Sequence, residues 1–154
     1  MTLQVRLAMA SDMAAAYALR HEVFVIGQDV PPELERDDLD ESAEHVVALD
    51  GDRIVGTGRL VNGRIGEDLR LVDGTPGNVG TIGRMAVAAS ARGAGVGRAL
   101  LDLLVDRARA LALPAVELHA QLHAKEFYER AGFEPFGAVY LEAGIEHVGM
   151  RREL

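Results

Sequence analysis

Apolar residues recur along this chain with two different periods. Gln4–Ala8 alternate, as a half-buried strand does. Val46–Leu49 and Arg53–Val61 read as strands joined at Asp50-Gly51-Asp52, a hairpin signal. Val79–Val87, Ala115–Ala120, Phe136–Leu141 and Glu146–Arg152 read as further strands, the last two around the turn Glu142-Ala143-Gly144. Helical spacing marks three other stretches. Ser11 can cap a helix from Asp12 to about Val25, with Ala15, Leu19 and Val23 along one face. Val96–Leu111 is the clearest helix: Val96, Leu100, Leu104, Ala108 and Leu111 form its buried stripe, and Arg98, Asp102, Asp106 and Arg109 its wet face. Pro114 stops it. His123–Ala131 reads as a short helix with Gly132 as its left-handed cap. Residues 26–43 and 62–78 read as long loops, the first with room for a short helix. The order β-α-β-β-β-α-β-α-β-β predicts an α/β fold of the α+β kind: one mixed sheet with helices packed on it.

Composition narrows the class. The 154 residues are 49% apolar, enough for a sizeable core in a single domain, 1–154. No cysteine is present, which excludes disulfides, thiol catalysis and thiolate metal sites. His21 and His45 lack regular ligand spacing, so no metal is expected. Arg6, Ser11 and Asp12 interrupt any signal-like core at the start, and no run approaches a membrane span. These features predict a cytoplasmic protein with no membrane partner. A net charge of −8 disfavours nucleic acid. Glu33, Glu35, Asp37, Asp38, Asp40, Glu41 and Glu44 concentrate that charge. The cluster reads either as a solvated acidic loop or as a field for a cationic amine.

The most informative segment is Arg92-Gly93-Ala94-Gly95-Val96-Gly97-Arg98, which follows a strand and opens the best helix. Glycines there let backbone N–H groups converge, and the helix N-terminus adds partial positive charge, so a diphosphate is the natural guest. A Walker loop would need Gly-Lys-Ser/Thr where this chain has Gly97-Arg98-Ala99. A dinucleotide fingerprint would need glycine in place of Arg98 and further βα units. On its own the segment also fits a packing turn. The spacing Arg-x-x-Gly-x-Gly resembles the pyrophosphate loop of the GNAT superfamily. Ile82-Gly83-Arg84-Met85-Ala86-Val87 resembles the strand that precedes that loop, and Ala124-Lys125-Glu126-Phe127-Tyr128-Glu129-Arg130-Ala131-Gly132-Phe133 the family's late signature. Leu19–Phe24, His119-Ala120-Gln121 and Gly144–Met150 resemble the ElaA-like branch.

The resemblance implies an acyl-CoA N-acyltransferase whose sheet splays between the fourth and fifth strands, Val79–Val87 and Ala115–Ala120, with acetyl-CoA in the opening. Met85, Ala86 and Val87 would pair with the pantetheine arm, and the Met85 N–H would polarise the thioester carbonyl. Arg92, Gly93, Ala94, Gly95, Val96, Gly97 and Arg98 would hold the diphosphate. Arg98 equally fits a surface pair with Asp102. Tyr128 matches the family's proton donor to the departing thiolate, though residue type alone makes it a core aromatic. Gln121 stands where many relatives place asparagine. His119 and His147 are the candidate bases, or else structural histidines; Glu22 and Glu44 are reserves. The acceptor is expected to be a cationic primary amine, small or peptidic, and a homodimer fits the family. Arg20, Phe24 and Arg84 also resemble positions of acyl-homoserine-lactone synthases, a minor alternative; an Arg20 or Arg84 that pairs with loop 33–44 is the plainer reading. The other rivals are a sensor that binds acyl-CoA without turnover and a nucleotide-phosphate protein that uses the glycine nest differently.

Overall fold

Residues 1–154 are described by a computed structural model. Nine strands and four α-helices follow one another: β1 (Leu3–Leu7), α1 (Met13–Arg20), α2 (Pro32–Glu35), β2 (Glu44–Asp50), β3 (Arg53–Asn62), β4 (Arg64–Ile65), β5 (Leu71–Asp73), β6 (Gly80–Val87), α3 (Val96–Ala110), β7 (Ala115–Gln121), α4 (Lys125–Arg130), β8 (Glu134–Glu142) and β9 (Ile145–Glu153). Seven strands form a mixed sheet in the order β1-β2-β3-β6-β7-β9-β8, and β4 pairs with β5 in a separate small hairpin. The β1–β2, β2–β3, β7–β9 and β8–β9 pairs are antiparallel; β6 and β7 are parallel. Their parallel register covers Gly80–Ile82 against Val116–Leu118.

The chain forms two compact units. Met1–Leu60 and Arg84–Asp106 make the first. Its β2–β3 hairpin turns at Gly51, which adopts φ 63°. Gly56 and Gly58 on β3 let α3 pack closely. A β-carbon at Gly56 would lie 2.8 Å from Leu100 and 2.9 Å from Val96, and one at Gly58 would lie 2.9 Å from Leu104. Val96, Leu100, Leu101, Leu104 and Val105 are buried on that face of α3. Burying a leucine side chain fully is worth about 1.5–3 kcal/mol, so this stripe fixes where the helix, and hence its first turn, sits.

Val61–Gly83 and Arg107–Leu154 make the second unit. Val116, Leu118, Ala120, Val148 and Met150 are buried on one face of β7 and β9. Glu117, His119, Gln121, His147, Gly149 and Arg151 alternate onto the other face, as the register Gln121↔His147, His119↔Gly149 and Glu117↔Arg151 requires.

Several expected details differ. The buried face of α1 is Ala16, Leu19 and Arg20, while Ala15 is exposed. Asp12, not Ser11, organises its entry: the Asp12 carboxylate accepts from Met9 N at 2.7 Å and from Arg6 at 2.7 Å. After Arg20 the helix widens into a π-type turn, His21–Ile26. Leu111 is exposed because α3 ends at Ala110 and Ala112 turns left-handed at φ 58°, which buries Leu113 instead. Loop 62–78 contains the β4–β5 hairpin.

Candidate active site

The predicted phosphate loop lies in the first unit. Beyond β6 a tight turn over Ala89–Ala91 is anchored by buried Ala91, and Arg92 Nε donates to Val87 O at 3.4 Å. Gly93 and Gly95 adopt φ 78° and 80°, and a β-carbon at either would meet no atom within 4 Å. Backbone rotation, not crowding, demands glycine there. Gly95 O accepts from Ala99 N at 3.1 Å, the first bond of α3. The N–H groups at the start of a helix have no partner within it, and they carry the positive end of its dipole. Arg98 Nε donates to Asp102 Oδ1 at 2.9 Å one turn on, the surface pair weighed in the sequence. In β6, Ala86 is buried and Met85 and Val87 half-buried.

The loop 26–43 is ordered by a buried ion network in the same unit. Arg20, 1% exposed, donates to Glu35 at 2.8 Å and to Asp40 at 2.7 Å. Arg59 donates to Asp37 at 2.6 Å and to Asp40 at 2.9 Å. Arg84 donates to Glu35 O at 2.8 Å, to Leu34 O at 3.1 Å and to Asp37 at 3.1 Å. Arg84 itself sits left-handed inside β6 at φ 51°, a costly conformation for a side chain-bearing residue that these bonds hold in place. Burial lowers its pKa, as do Arg59 and Arg20 beside it. Burial alone would push Asp37 and Asp40 up, but the arginines outweigh it, and both carboxylates titrate below their ordinary value.

Tyr128 lies on α4 in the second unit, edge-on to Phe127 and Phe133 with centroids 5.0 and 6.1 Å away. Gly132 closes this helix at φ 90°, and Phe133 N donates back to Tyr128 O at 3.1 Å. Burial pushes the Tyr128 phenol up to about 12, so it stays protonated at neutral pH.

His119 and His147 stand on neighbouring strands, β7 and β9, and one carboxylate serves both. Glu142 Oε1 lies 3.2 Å from His119 Nδ1, and Glu142 Oε2 lies 3.4 Å from His147 Nε2. The remaining nitrogens reach backbone carbonyls: His119 Nε2 to Ile65 O at 3.0 Å, and His147 Nδ1 to Ile145 O at 2.7 Å. Burial opposes a charged His119, but Glu142 and the Ile65 carbonyl outweigh it and its pKa is raised. With both nitrogens facing acceptors, a fully bonded His119 is an imidazolium with no lone pair to offer. Tyr140 packs against both rings, each centroid 5.9 Å away, and its buried hydroxyl has no hydrogen-bond partner. Burial, with Glu142 and Glu67 nearby, raises its pKa. His119 and Tyr140 line a groove of about 860 Å³, whose floor includes the Phe136 ring laid over Gly149. Arg64 and Arg151 bracket Glu117 beside it, at 2.9 and 2.8 Å.

Glu142 and Tyr140 are the residues that sequence reasoning misses. Their signal is the two-residue turn Ala143-Gly144, with φ 51° and 76°, which sets Glu142 opposite Ile145 and Tyr140 opposite His147 on one face.

A strand that runs into a glycine-shaped helix N-terminus is the arrangement expected of an acyl-CoA-using transferase. The acetyltransferase (GNAT) domain family matches residues 10–154, and the chain belongs to that family of acyl-CoA N-acyltransferases. It is 35% identical to the uncharacterized N-acetyltransferase YjcF of Bacillus subtilis (strain 168), over 90% of each chain. It is 33% identical to the protein ElaA of Escherichia coli (strain K12), over 94% of this chain and 89% of that one. The ElaA crystal structure superposes with a TM-score of 0.78, covering 99% of both chains. An acyl-CoA N-acyltransferase from Pseudomonas aeruginosa is 32% identical, with a TM-score of 0.78 over 98% of both chains. These relatives place the chain in an ElaA-like branch.

Proposed function

We propose that this chain transfers an acetyl group from acetyl-CoA to a cationic primary amine by direct attack. The observation that carries the reading is the 93–98 loop, where two left-handed glycines lead into α3 and leave open space above them. Main-chain N–H groups of Gly93, Ala94, Gly95, Val96, Gly97 and Arg98 hold the diphosphate, with Arg92 opening the loop. Met85, Ala86 and Val87 hold the pantetheine arm, assisted by Gln121, and the Met85 N–H stabilises the charge that develops on the thioester oxygen. The nitrogen attacks the carbonyl carbon and the C–S bond breaks. Of the ammonium's three protons, one leaves before attack, one stays on the amide, and one is matched by the proton that Tyr128 gives to sulfur. No cysteine is present to carry the acyl group, which supports a ternary complex.

The proton lost before attack goes to the His119–His147 pair. His147 is the acceptor, because His119 is committed to two hydrogen bonds. Exposed Phe136, Val139 and Leu141 on the edge strand β8 support a homodimer, and the absence of cysteine supports a cytoplasmic setting. The test is incubation with acetyl-CoA and a panel of primary amines, following free thiol. Turnover with at least one amine is expected. Tight CoA binding with no thiol release across the panel would make the chain an acyl-CoA sensor instead.

A further inference from the structure

In the second unit, three hydrogen bonds and one longer ion-pair contact converge on three titratable groups: His119 Nε2 with Ile65 O, His119 Nδ1 with Glu142 Oε1 and His147 Nδ1 with Ile145 O are the hydrogen bonds, and His147 Nε2 with Glu142 Oε2 is the contact. Carbonyls and carboxylates only accept, so every contact needs a proton of its own. Two neutral imidazoles and a carboxylate supply too few. With net charge zero the cluster holds one imidazolium, one neutral imidazole and the carboxylate, and one contact still lacks its proton. The gap falls on the longest of the four, 3.4 Å between His147 Nε2 and Glu142 Oε2. The other three span 2.7 to 3.2 Å.

We propose that Glu142 is a positioning residue that joins His119 and His147 into a single proton-accepting unit, whose vacant place between His147 Nε2 and Glu142 Oε2 receives the proton of a primary ammonium acceptor. This deepens the acyltransferase reading and rests on it. His119, pinned to Ile65 O, fixes Glu142 Oε1 and leaves Oε2 turned to His147. The step balances: an ammonium becomes an amine, the cluster gains one proton and one positive charge, and solvent removes that proton before the next turnover. His119 and Tyr140 line the groove, and His147 is buried behind them. The surroundings favour an added proton. Tyr140 from β8 contacts both rings without donating to an acceptor of its own, and Glu67, beyond β4, adds negative potential to that phenol. Glu117 on β7 acts in the same direction, tempered by Arg64 and Arg151.

The test has two arms on the full chain. Imidazole nitrogen shifts of His119 and His147 are followed by NMR through a pH titration. Glu142→Gln is expected to lower the His119 midpoint by about one pH unit, the effect of removing an anion in contact, and Glu142→Asp to restore part of the shift. If the His119 midpoint does not move in Glu142→Gln, the proposal is wrong. If that variant does not fold, His119→Gln decides: it leaves the carboxylate to His147 alone, so the His147 ring nitrogen shifts are expected to change at fixed pH, and unchanged shifts refute the coupling. In the second arm, the acid limb of kcat/KM for thiol release with the best amine of the panel moves to lower pH in Glu142→Gln, and kcat falls about tenfold or more. An unmoved limb contradicts the proposal. Absence of turnover by the wild-type chain with every amine would sink the acyltransferase reading instead, and the titration would still decide the cluster.

Discussion

As the proposed acid, Tyr128 has to hold its proton at neutral pH and release it only as a thiolate departs. Burial does the first, pushing the phenol up to about 12. A thiol ordinarily titrates near 8.5, so the tyrosinate formed on transfer is a strong base and refills from the nitrogen that is losing its protons. Tyr128→Phe is therefore expected to lower kcat by about a hundredfold or more, with CoA affinity changed much less; unchanged turnover with chemistry rate-limiting would remove Tyr128 from the reaction. The same value predicts no alkaline loss of kcat from this residue up to about pH 10, checked by a pH–rate profile. Tyr128 and the loop glycines can be proposed from the sequence because each belongs to a spaced motif. Glu142 cannot. Its carboxylate reads as one more polar residue at the turn, and only the pairing of Tyr140 with His147 and of Glu142 with Ile145 shows which side chains it joins.

Among the elements, α1 and the loop after it show most clearly what periodicity can and cannot reveal. Apolar spacing selects Ala15, Leu19 and Val23, but the buried stripe includes Arg20, whose carboxylate partners Glu35 and Asp40 lie well beyond the helix. A charge inside an apolar stripe becomes sensible only once those partners are known. Its removal leaves buried Asp40 to Arg59 at 2.9 Å and buried Glu35 to the more distant Arg84 at 3.6 Å, so Arg20→Ala is expected to cost about 3 kcal/mol, measured by urea unfolding. A cost under about 1 kcal/mol would mean the network behaves like a surface pair. The pH dependence follows from the same groups. Asp37 and Asp40 have folded pKa values below their unfolded ones, so their contribution is complete above about pH 4 and is lost as pH falls through the folded values. His119 is raised, so its contribution is complete below about pH 6.5 and is lost as pH rises through its folded value. Urea midpoints should therefore decline on both sides of the window between. The strands and α3 are legible because their burial is carried by apolar residues on one face, as Leu100 and Leu104 show.

Across the whole molecule, a net charge of −8 bears on the acceptor more than on CoA. The ion network consumes Glu35, Asp37 and Asp40 and leaves Glu33, Asp38 and Glu41 exposed. An acidic field of this kind draws cations and weakens with salt, so KM for a polycationic amine is expected to rise several-fold from low to physiological ionic strength; a salt-independent KM would leave the acidic loop with its structural role alone. No helix is long and apolar enough to cross a membrane. The account turns on the backbone donors of the 93–98 loop, and calorimetric titration of the chain with CoA tests them most directly. The wild-type protein should bind, and Gly95→Asp, which forces a side chain into a left-handed position and sets a carboxylate against the diphosphate, should weaken binding at least about tenfold. Equal affinity in a folded Gly95→Asp variant would place the nucleotide elsewhere and contradict the assignment.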